Sequence, residues 1–128
     1  MFRLAVCDDE IHSLAHMISL IEEYRLVSPF HFEYASFHNG IELASVLEHG
    51  KSFDVYCLDI VMAGFDGIQL GKEIREHDKS AQIIYFTSSP EFALDSYSVK
   101  AANYILKPVS KGTLFSVLNE VMEQMEQI

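Results

Sequence analysis

The sequence has no tryptophan and only two cysteines, Cys7 and Cys57. Each cysteine lies in an apolar run and neither belongs to a CxxC or similar ligand spacing, which favours two reduced core thiols over a disulfide framework or a zinc site. No apolar run approaches the roughly 18 residues that a membrane-spanning helix needs. The first residues form a short apolar run that leads into acidic residues, unlike a signal peptide. We therefore expect a cytoplasmic protein with no membrane partner.

Basic residues are scarce as well. The chain carries 9 Lys and Arg residues against 19 Asp and Glu residues, for a formal net charge of -10. Because a nucleic-acid backbone would be repelled by most of this surface, we expect no nucleic-acid binding by this domain alone. The hydrophobic fraction of 49% over 128 residues is typical of one compact domain, predicted here to span residues 1–128.

Two patterns alternate along the chain. Short β-rich runs, each followed by a helical period, are predicted near residues 2–7, 31–37, 53–58, 82–87 and 103–106. Several of these runs are continuously apolar, as in parallel strands covered on both faces, whereas the second alternates and suits a sheet edge. The repeat predicts an α/β fold with a doubly wound, five-stranded parallel sheet flanked by five helices.

The first and last helices show the clearest apolar faces. The first helix is predicted to bury Ile11, Leu14, Ala15, Ile18 and Ile21. The last is predicted to begin at a capping serine, Ser110, and to bury Leu114, Val117, Leu118, Val121, Met122 and Met125. Both patterns indicate helices that lie against a sheet.

Polar residues stand where four of the predicted strands end. They are Asp8 with Asp9, Asp59, Thr87 and Lys107. Open parallel sheets form their functional crevice at the carboxyl ends of the strands, so we expect three carboxylates, a hydroxyl and an ammonium to meet at one rim.

Three close carboxylates repel one another unless a cation offsets their charge. Mg²⁺ is the simplest candidate, because it prefers oxygen ligands, needs few from the protein and bridges readily to phosphate. A carboxylate beside such an ion can attack phosphorus and form an aspartyl phosphate. Lys107 and Thr87 could stabilise the charge of the transferred group.

Each residue also has an ordinary structural explanation. The acids Asp8 and Asp9 could cap the first helix, Thr87 could simply end a strand, and Lys107 could lie in a solvated turn. Taken singly, each ordinary explanation is the better one. All four features at successive strand ends favour the functional interpretation.

Four segments carry a resemblance to a known family: Cys7-Asp8-Asp9-Glu10, Leu58-Asp59-Ile60-Val61-Met62, Phe86-Thr87-Ser88 and Tyr104-Ile105-Leu106-Lys107-Pro108. In this order, and over essentially the whole chain, they resemble the receiver domains of two-component response regulators. The resemblance implies a flavodoxin-like fold of receiver type, with strand order 2-1-3-4-5. It also implies a signalling switch that is phosphorylated by a sensor histidine kinase and assists its own phosphorylation and dephosphorylation, rather than an enzyme.

The resemblance also implies roles for individual residues. Asp59 would accept the phosphoryl group and, with Asp9, ligate Mg²⁺ directly. Asp8 would act through water, and the Val61 backbone carbonyl would supply a further ligand. The switch pair would be Thr87 and Tyr104, with the hydroxyl drawn to the phosphoryl group and the aromatic ring moving inward. Kinase specificity would lie on the first helix and the loop after the fifth strand.

A finer resemblance covers Phe92 to Pro108, which looks like the receivers that precede LytTR-type DNA-binding domains. It implies control of transcription through an output domain that is absent from this sequence, with homodimerisation through the face of helix 4, strand 5 and helix 5. A stand-alone or degenerate receiver that acts as a protein-binding module is the alternative.

One position departs from the family pattern. Ala63 stands where many members have proline, so the loop from Ile60 to Asp66 is expected to sample more conformations before metal and phosphate bind. Either slower phosphorylation or weaker metal binding is expected to follow. Two other classes are less consistent with the sequence. A small magnesium-dependent phosphatase of the haloacid-dehalogenase type would have a second acid at Val61, and a flavodoxin-like electron carrier would have a Ser/Thr/Gly-rich loop where this chain has Asp8-Asp9-Glu10.

Overall fold

The computed structural model describes residues 1–127, and strands and helices alternate along them. The strands are β1 (Phe2–Cys7), β2 (Phe32–Phe37), β3 (Val55–Leu58), β4 (Gln82–Thr87) and β5 (Asn103–Leu106). The helices are α1 (Ile11–Val27), α2 (Gly40–Glu48), α3 (Gly67–His77), α4 (Ala93–Ser98) and α5 (Lys111–Glu126), and a short 3-10 turn, Pro90–Phe92, precedes α4. The predicted βα alternation is confirmed.

All five strands pair in parallel, in the order β2-β1-β3-β4-β5. The predicted strand order and the edge position of β2 are therefore confirmed. The central strand β3 is buried at every residue, whereas β2 is buried only at its two ends. This difference follows the sequence, because continuous apolar runs suit strands that are covered on both faces.

Two hydrophobic layers cover the sheet. On one face, α1 and α5 pack against side chains such as Leu4 and Val6 of β1. On the other face, α2 and α3 pack against the alternate side chains, including Ala5 and Cys7. Because neighbouring residues of a strand point to opposite faces, one apolar strand serves both layers.

The predicted face of α1 is partly wrong. Its buried residues are Leu14, Met17, Leu20, Ile21 and Tyr24. Ile11 is 67% exposed, and Ala15 is also exposed. The spacing of 14, 17, 20, 21 and 24 is itself helical. The prediction omitted Met17, Leu20 and Tyr24, which move the buried stripe around the helix.

The last helix follows its prediction closely. The hydroxyl of Ser110 caps α5 by accepting from the Thr113 amide. The predicted core residues of α5 are buried from Leu114 to Met122, and Met125 is partly buried. None of the helices described over residues 1–127 is long and apolar enough to cross a membrane.

Helix α4 ends in a tight hydrogen-bonded turn. The amide of Ala101 donates to the Ser96 carbonyl over 3.1 Å, and the amide of Lys100 donates to the Tyr97 carbonyl over 3.1 Å. This is the Schellman arrangement, in which the residue after the cap adopts a left-handed conformation. Lys100 does so with φ 54, at a position that usually favours glycine.

Arg75 of α3 contacts two turns, the one before β4 and the one after α4. Its guanidinium donates to the Ala81 and Val99 carbonyls over 2.7 Å each, and to those of Asp78 and Lys100 over 3.3 Å each. One side chain thus holds the turn before β4 and the end of α4 against α3. We call this group of contacts the Arg75 brace.

Candidate functional site

The polar residues predicted to meet at one rim do lie at the carboxyl ends of adjacent strands. Asp8 follows β1, Asp59 follows β3, Thr87 ends β4 and Lys107 follows β5. Backbone pairing of the sheet continues just beyond these strands. The Asp59 amide donates to the Cys7 carbonyl over 3.0 Å, and the Lys107 amide donates to the Thr87 carbonyl over 2.9 Å. The backbone therefore fixes where these side chains leave the sheet.

Lys107 joins the two most buried acids. Its ammonium donates to Asp8 Oδ2 over 2.7 Å and to Asp59 Oδ2 over 2.9 Å. Only 3% of Asp8 and 8% of Asp59 is exposed. The remaining oxygens are also bound, since Asp8 Oδ1 accepts from the Glu10 amide over 3.0 Å and Asp59 Oδ1 accepts from the Ile60 amide over 2.7 Å. The pair is held with one cation between two anions.

Asp59 loses its proton less readily in this site than an exposed aspartic acid does, because its pKa is raised. Burial raises the pKa of Asp59, and the hydrogen bond and charge of Lys107 oppose this effect without cancelling it. The nearby Asp8 charge raises the pKa of Asp59 further. Burial alone would lower the pKa of Lys107, but its bonds to the two carboxylates raise it. The site therefore favours the protonated lysine and would be stabilised by a further positive charge.

Asp9 does not join this pair. Its carboxylate is exposed, and Oδ2 accepts from the backbone amide of Ala63 over 3.1 Å. Across residues 1–127, no three His, Cys, Asp or Glu side chains are grouped so as to hold a metal ion. The expected crowding of three carboxylates is thus seen for Asp8 and Asp59 only.

The chemistry of the donors nevertheless suits Mg²⁺. Asp8, Asp9 and Asp59 offer only oxygen atoms, and two of the three are already paired with a cation. Mg²⁺ takes few protein ligands and keeps several waters, so it needs no closed cage of side chains. These three residues are therefore the ones that would hold the ion.

The loop after Asp59, residues 60–66, is anchored at both ends, and we call it the acceptor loop. The Gly67 amide donates to the Ile60 carbonyl over 2.8 Å, and a Cβ at Gly67 would lie 2.1 Å from the Asp59 carbonyl oxygen. Glycine is therefore required for this close approach. Met62 is buried within the loop, whereas Val61, whose backbone carbonyl is a predicted metal ligand, is 55% exposed.

The predicted switch residues contact the same peptide segment. Thr87 is buried, and its hydroxyl accepts from the Ser89 amide over 3.2 Å. The Tyr104 hydroxyl donates to the Ser89 carbonyl, with the ring partly buried. No sequence pattern indicated that Ser89 links the pair, although a threonine hydroxyl that accepts from the amide two residues on is a common local turn.

The ordinary structural explanations fit less well. Glu10, not Asp8 or Asp9, caps α1, because its carboxylate accepts from the His12 and Ser13 amides. The side chain of Lys107 is only 17% exposed, so it does not lie in a solvated turn. The functional interpretation of these residues thus keeps its structural basis.

Comparison with known proteins identifies the family of this fold. The sequence model of one protein family, the response regulator receiver domain, matches residues 4–119. The positive alginate biosynthesis regulatory protein of Pseudomonas aeruginosa is 31% identical over 118 residues, which cover 90% of this chain and 45% of that protein. Accessory gene regulator protein A of Staphylococcus epidermidis is 34% identical over 111 residues, which cover 82% of this chain and 46% of that protein. This chain thus spans about half the length of these curated relatives.

A solved structure of a response regulator has a similar fold. The response regulator protein TrrA from Thermotoga maritima, in complex with Mg²⁺ and BeF, superposes with a TM-score of 0.76 and 28% identity. The alignment covers 94% of this chain and 99% of that chain. Fold, family model and relatives agree, and this chain belongs to the response regulator receiver domain family.

Proposed function

We propose that this receiver domain is a signalling switch that accepts a phosphoryl group on Asp59 from a sensor histidine kinase. The observation that carries this proposal is the position of the Asp59 carboxylate, at the end of β3 and bound to the ammonium of Lys107 over 2.9 Å beside Asp8. Receiver domains are a non-catalytic signalling fold. Phosphorylation of Asp59 would therefore change the signalling state of the domain itself.

In this proposal Asp59 is the nucleophile. One carboxylate oxygen attacks phosphorus and forms the new P–O bond, while the bond from phosphorus to the phosphorylated histidine of the kinase breaks and the imidazole leaves. The other carboxylate oxygen stays bound to the protein, as Asp59 Oδ1 is to the Ile60 amide. The Lys107 ammonium lies within reach of the oxygens that gain negative charge. Mg²⁺, held by Asp8, Asp9 and Asp59, would neutralise further charge on the transferred group, as in other phosphoryl transfers.

The backbone of Ser89 would transmit the effect of phosphorylation from Thr87 to Tyr104. A phosphoryl group on Asp59 offers acceptor oxygens to the Thr87 hydroxyl, whose own oxygen holds the Ser89 amide. Tyr104 holds the carbonyl of that same residue. A shift of Thr87 is therefore transmitted to Tyr104 and to the segment that leads into α4.

The kinase is expected to dock beside the acceptor. A groove of about 440 Å³ lies between α1 and the loop after β5, the two elements that are expected to determine kinase specificity. Its lining is mainly apolar and comprises His12, Ser13, His16, Met17, Ser88, Lys107, Pro108 and Val109. Because Lys107 contributes both to this groove and to the acceptor site, a docked donor would lie close to Asp59.

The output is proposed to be transcription through a LytTR-type domain that follows the receiver. The two relatives compared above are named as regulators and are about twice as long as the aligned region. On α4 and β5, Leu94, Tyr97 and Leu106 are 82%, 77% and 50% exposed, which supports the proposed homodimer face formed with α5.

Phosphorylation with acetyl phosphate and Mg²⁺, followed by intact-mass and peptide mass spectrometry, tests the acceptor. We expect one added phosphate on the peptide that contains Asp59, none in Asp59→Asn, and normal labelling in Asp95→Asn, whose residue is exposed on α4. Stoichiometric labelling of Asp59→Asn would refute the assignment. Turnover of a phosphate ester would instead favour the phosphatase, and partner binding without any labelling would favour a degenerate receiver.

A further inference from the structure

The hydrogen bond between Asp9 and Ala63 connects the acidic pair at the end of β1 to the middle of the acceptor loop. The Ala63 amide donates to Asp9 Oδ2 over 3.1 Å, across 54 residues of sequence. Both residues are exposed, and Gly64 beside them has φ 85. Residues 63 and 64 therefore have little packing of their own, although Met62 before them is buried and accepts from Cys7 Sγ over 3.8 Å. The bond to Asp9 ties the backbone of Ala63 itself to the end of β1.

The three carboxylates fall into two groups. Asp8 and Asp59 share Lys107 within the buried part of the site. Asp9 is bound to the loop instead, and no group of three potential ligands forms within residues 1–127. The three acids thus have two kinds of partner, with an ammonium for two of them and a backbone amide for the third.

This arrangement needs a donor at residue 63. Proline has no amide hydrogen, so it could not hold Asp9 in this way. Alanine supplies the donor and restricts the loop through a bond instead of a ring. Metal binding and loop order are then linked through one carboxylate, because a bond to a charged oxygen is strong enough to compete for it.

We propose that the Ala63 amide is a latch that holds Asp9 away from the magnesium site, so that metal binding breaks this bond and releases the middle of the acceptor loop. The inference deepens the proposed function, since it rests on Mg²⁺ binding at Asp59. A competing bond is thus a second cause of weak metal binding at Ala63, beside the expected mobility of the loop.

Calorimetric titration with Mg²⁺ tests the energetic part. Ala63→Pro and a semisynthetic protein with lactate at residue 63 both remove the amide hydrogen, and the lactate protein does so without the proline ring. Because the broken bond is charge-assisted but exposed, we expect both to bind Mg²⁺ about threefold to tenfold more tightly than wild type. Ala63→Ser keeps the amide and should bind as wild type does.

The exchange rate of the Ala63 amide with water, measured by NMR, tests the structural part. We expect slower exchange in the metal-free wild type than in Asp9→Ala, and faster exchange when Mg²⁺ saturates the wild type. Binding of Mg²⁺ with unchanged Ala63 exchange, or equal affinity of the wild-type and lactate proteins, would overturn the latch and leave the proposed function intact. Failure of every protein to bind Mg²⁺ would overturn the magnesium site and the latch together.

Discussion

Replacing Lys107 with methionine should destabilise the metal-free protein, because the substitution leaves Asp8 and Asp59 buried beside each other without a cation. At the two contacts of 2.7 and 2.9 Å, the attraction is about 6 kcal/mol each for an effective dielectric constant near 20. Desolvation of the three charges cancels most of this gain. Breaking buried ion pairs of this kind costs about 3 kcal/mol or more in unfolding free energy, and we expect Lys107→Met to lose about 3 kcal/mol.

Urea unfolding at neutral pH, with a chelator present, measures this loss. The loss should shrink by more than half in Lys107→Met/Asp59→Asn, because the second substitution removes the unpaired charge. It should also shrink in saturating Mg²⁺, which replaces the ammonium. Lys72→Met, on the exposed surface of α3, is the matched control and should change stability little. A cost of less than about 1 kcal/mol for Lys107→Met, or one that Asp59→Asn leaves unchanged, would refute the reasoning.

Three further predictions concern stability. Arg75→Ala should lower the unfolding free energy by about 2 kcal/mol, because two short bonds to carbonyls are lost, while Lys72→Ala should lower it by less than about 0.5 kcal/mol; equal losses in urea unfolding would contradict the brace. Lys100→Gly should raise the melting temperature, since it relieves a left-handed residue worth about 1 kcal/mol, and an unchanged or lower value would argue against that strain. The raised pKa of Asp59 makes the native state bind a proton more readily than the unfolded state, so stability should fall as pH rises from 3.8 through the native pKa. Asp59→Asn should lack this fall in metal-free urea titrations, and a parallel profile would count against a raised pKa.

The sheet and its rim could be predicted because they depend on periodic patterns. Continuous apolar runs identified β3 and β4 as covered strands, and the polar residues that follow them necessarily lie at one edge of a parallel sheet. The face of α1 was predicted only in part, because apolar residues occur on more than one side of this helix. Met17, Leu20 and Tyr24 are buried, whereas Ile11 and Ala15 are exposed. Packing against the sheet selects one of these sides.

The contacts within the site could not be predicted in the same way. Sequence places Asp9 at the rim, but which donor its carboxylate reaches depends on a rotamer and on the path of a loop from another part of the chain. The link of Thr87 and Tyr104 through Ser89 likewise depends on two side-chain conformations. The resemblance to receivers supplied these residues as candidates, while their partners emerged only from the structure.

The Arg75 brace has a mechanical consequence for α4. Its bonds to the Val99 and Lys100 carbonyls fix the far end of that helix, while the near end follows Ser89 through the 3-10 turn. Six helical residues measure about 9 Å, so a shift of about 1 Å at the near end tilts the helix by about 6° around the fixed end. Because the rotation is about the fixed end, Leu94 moves farther than Val99.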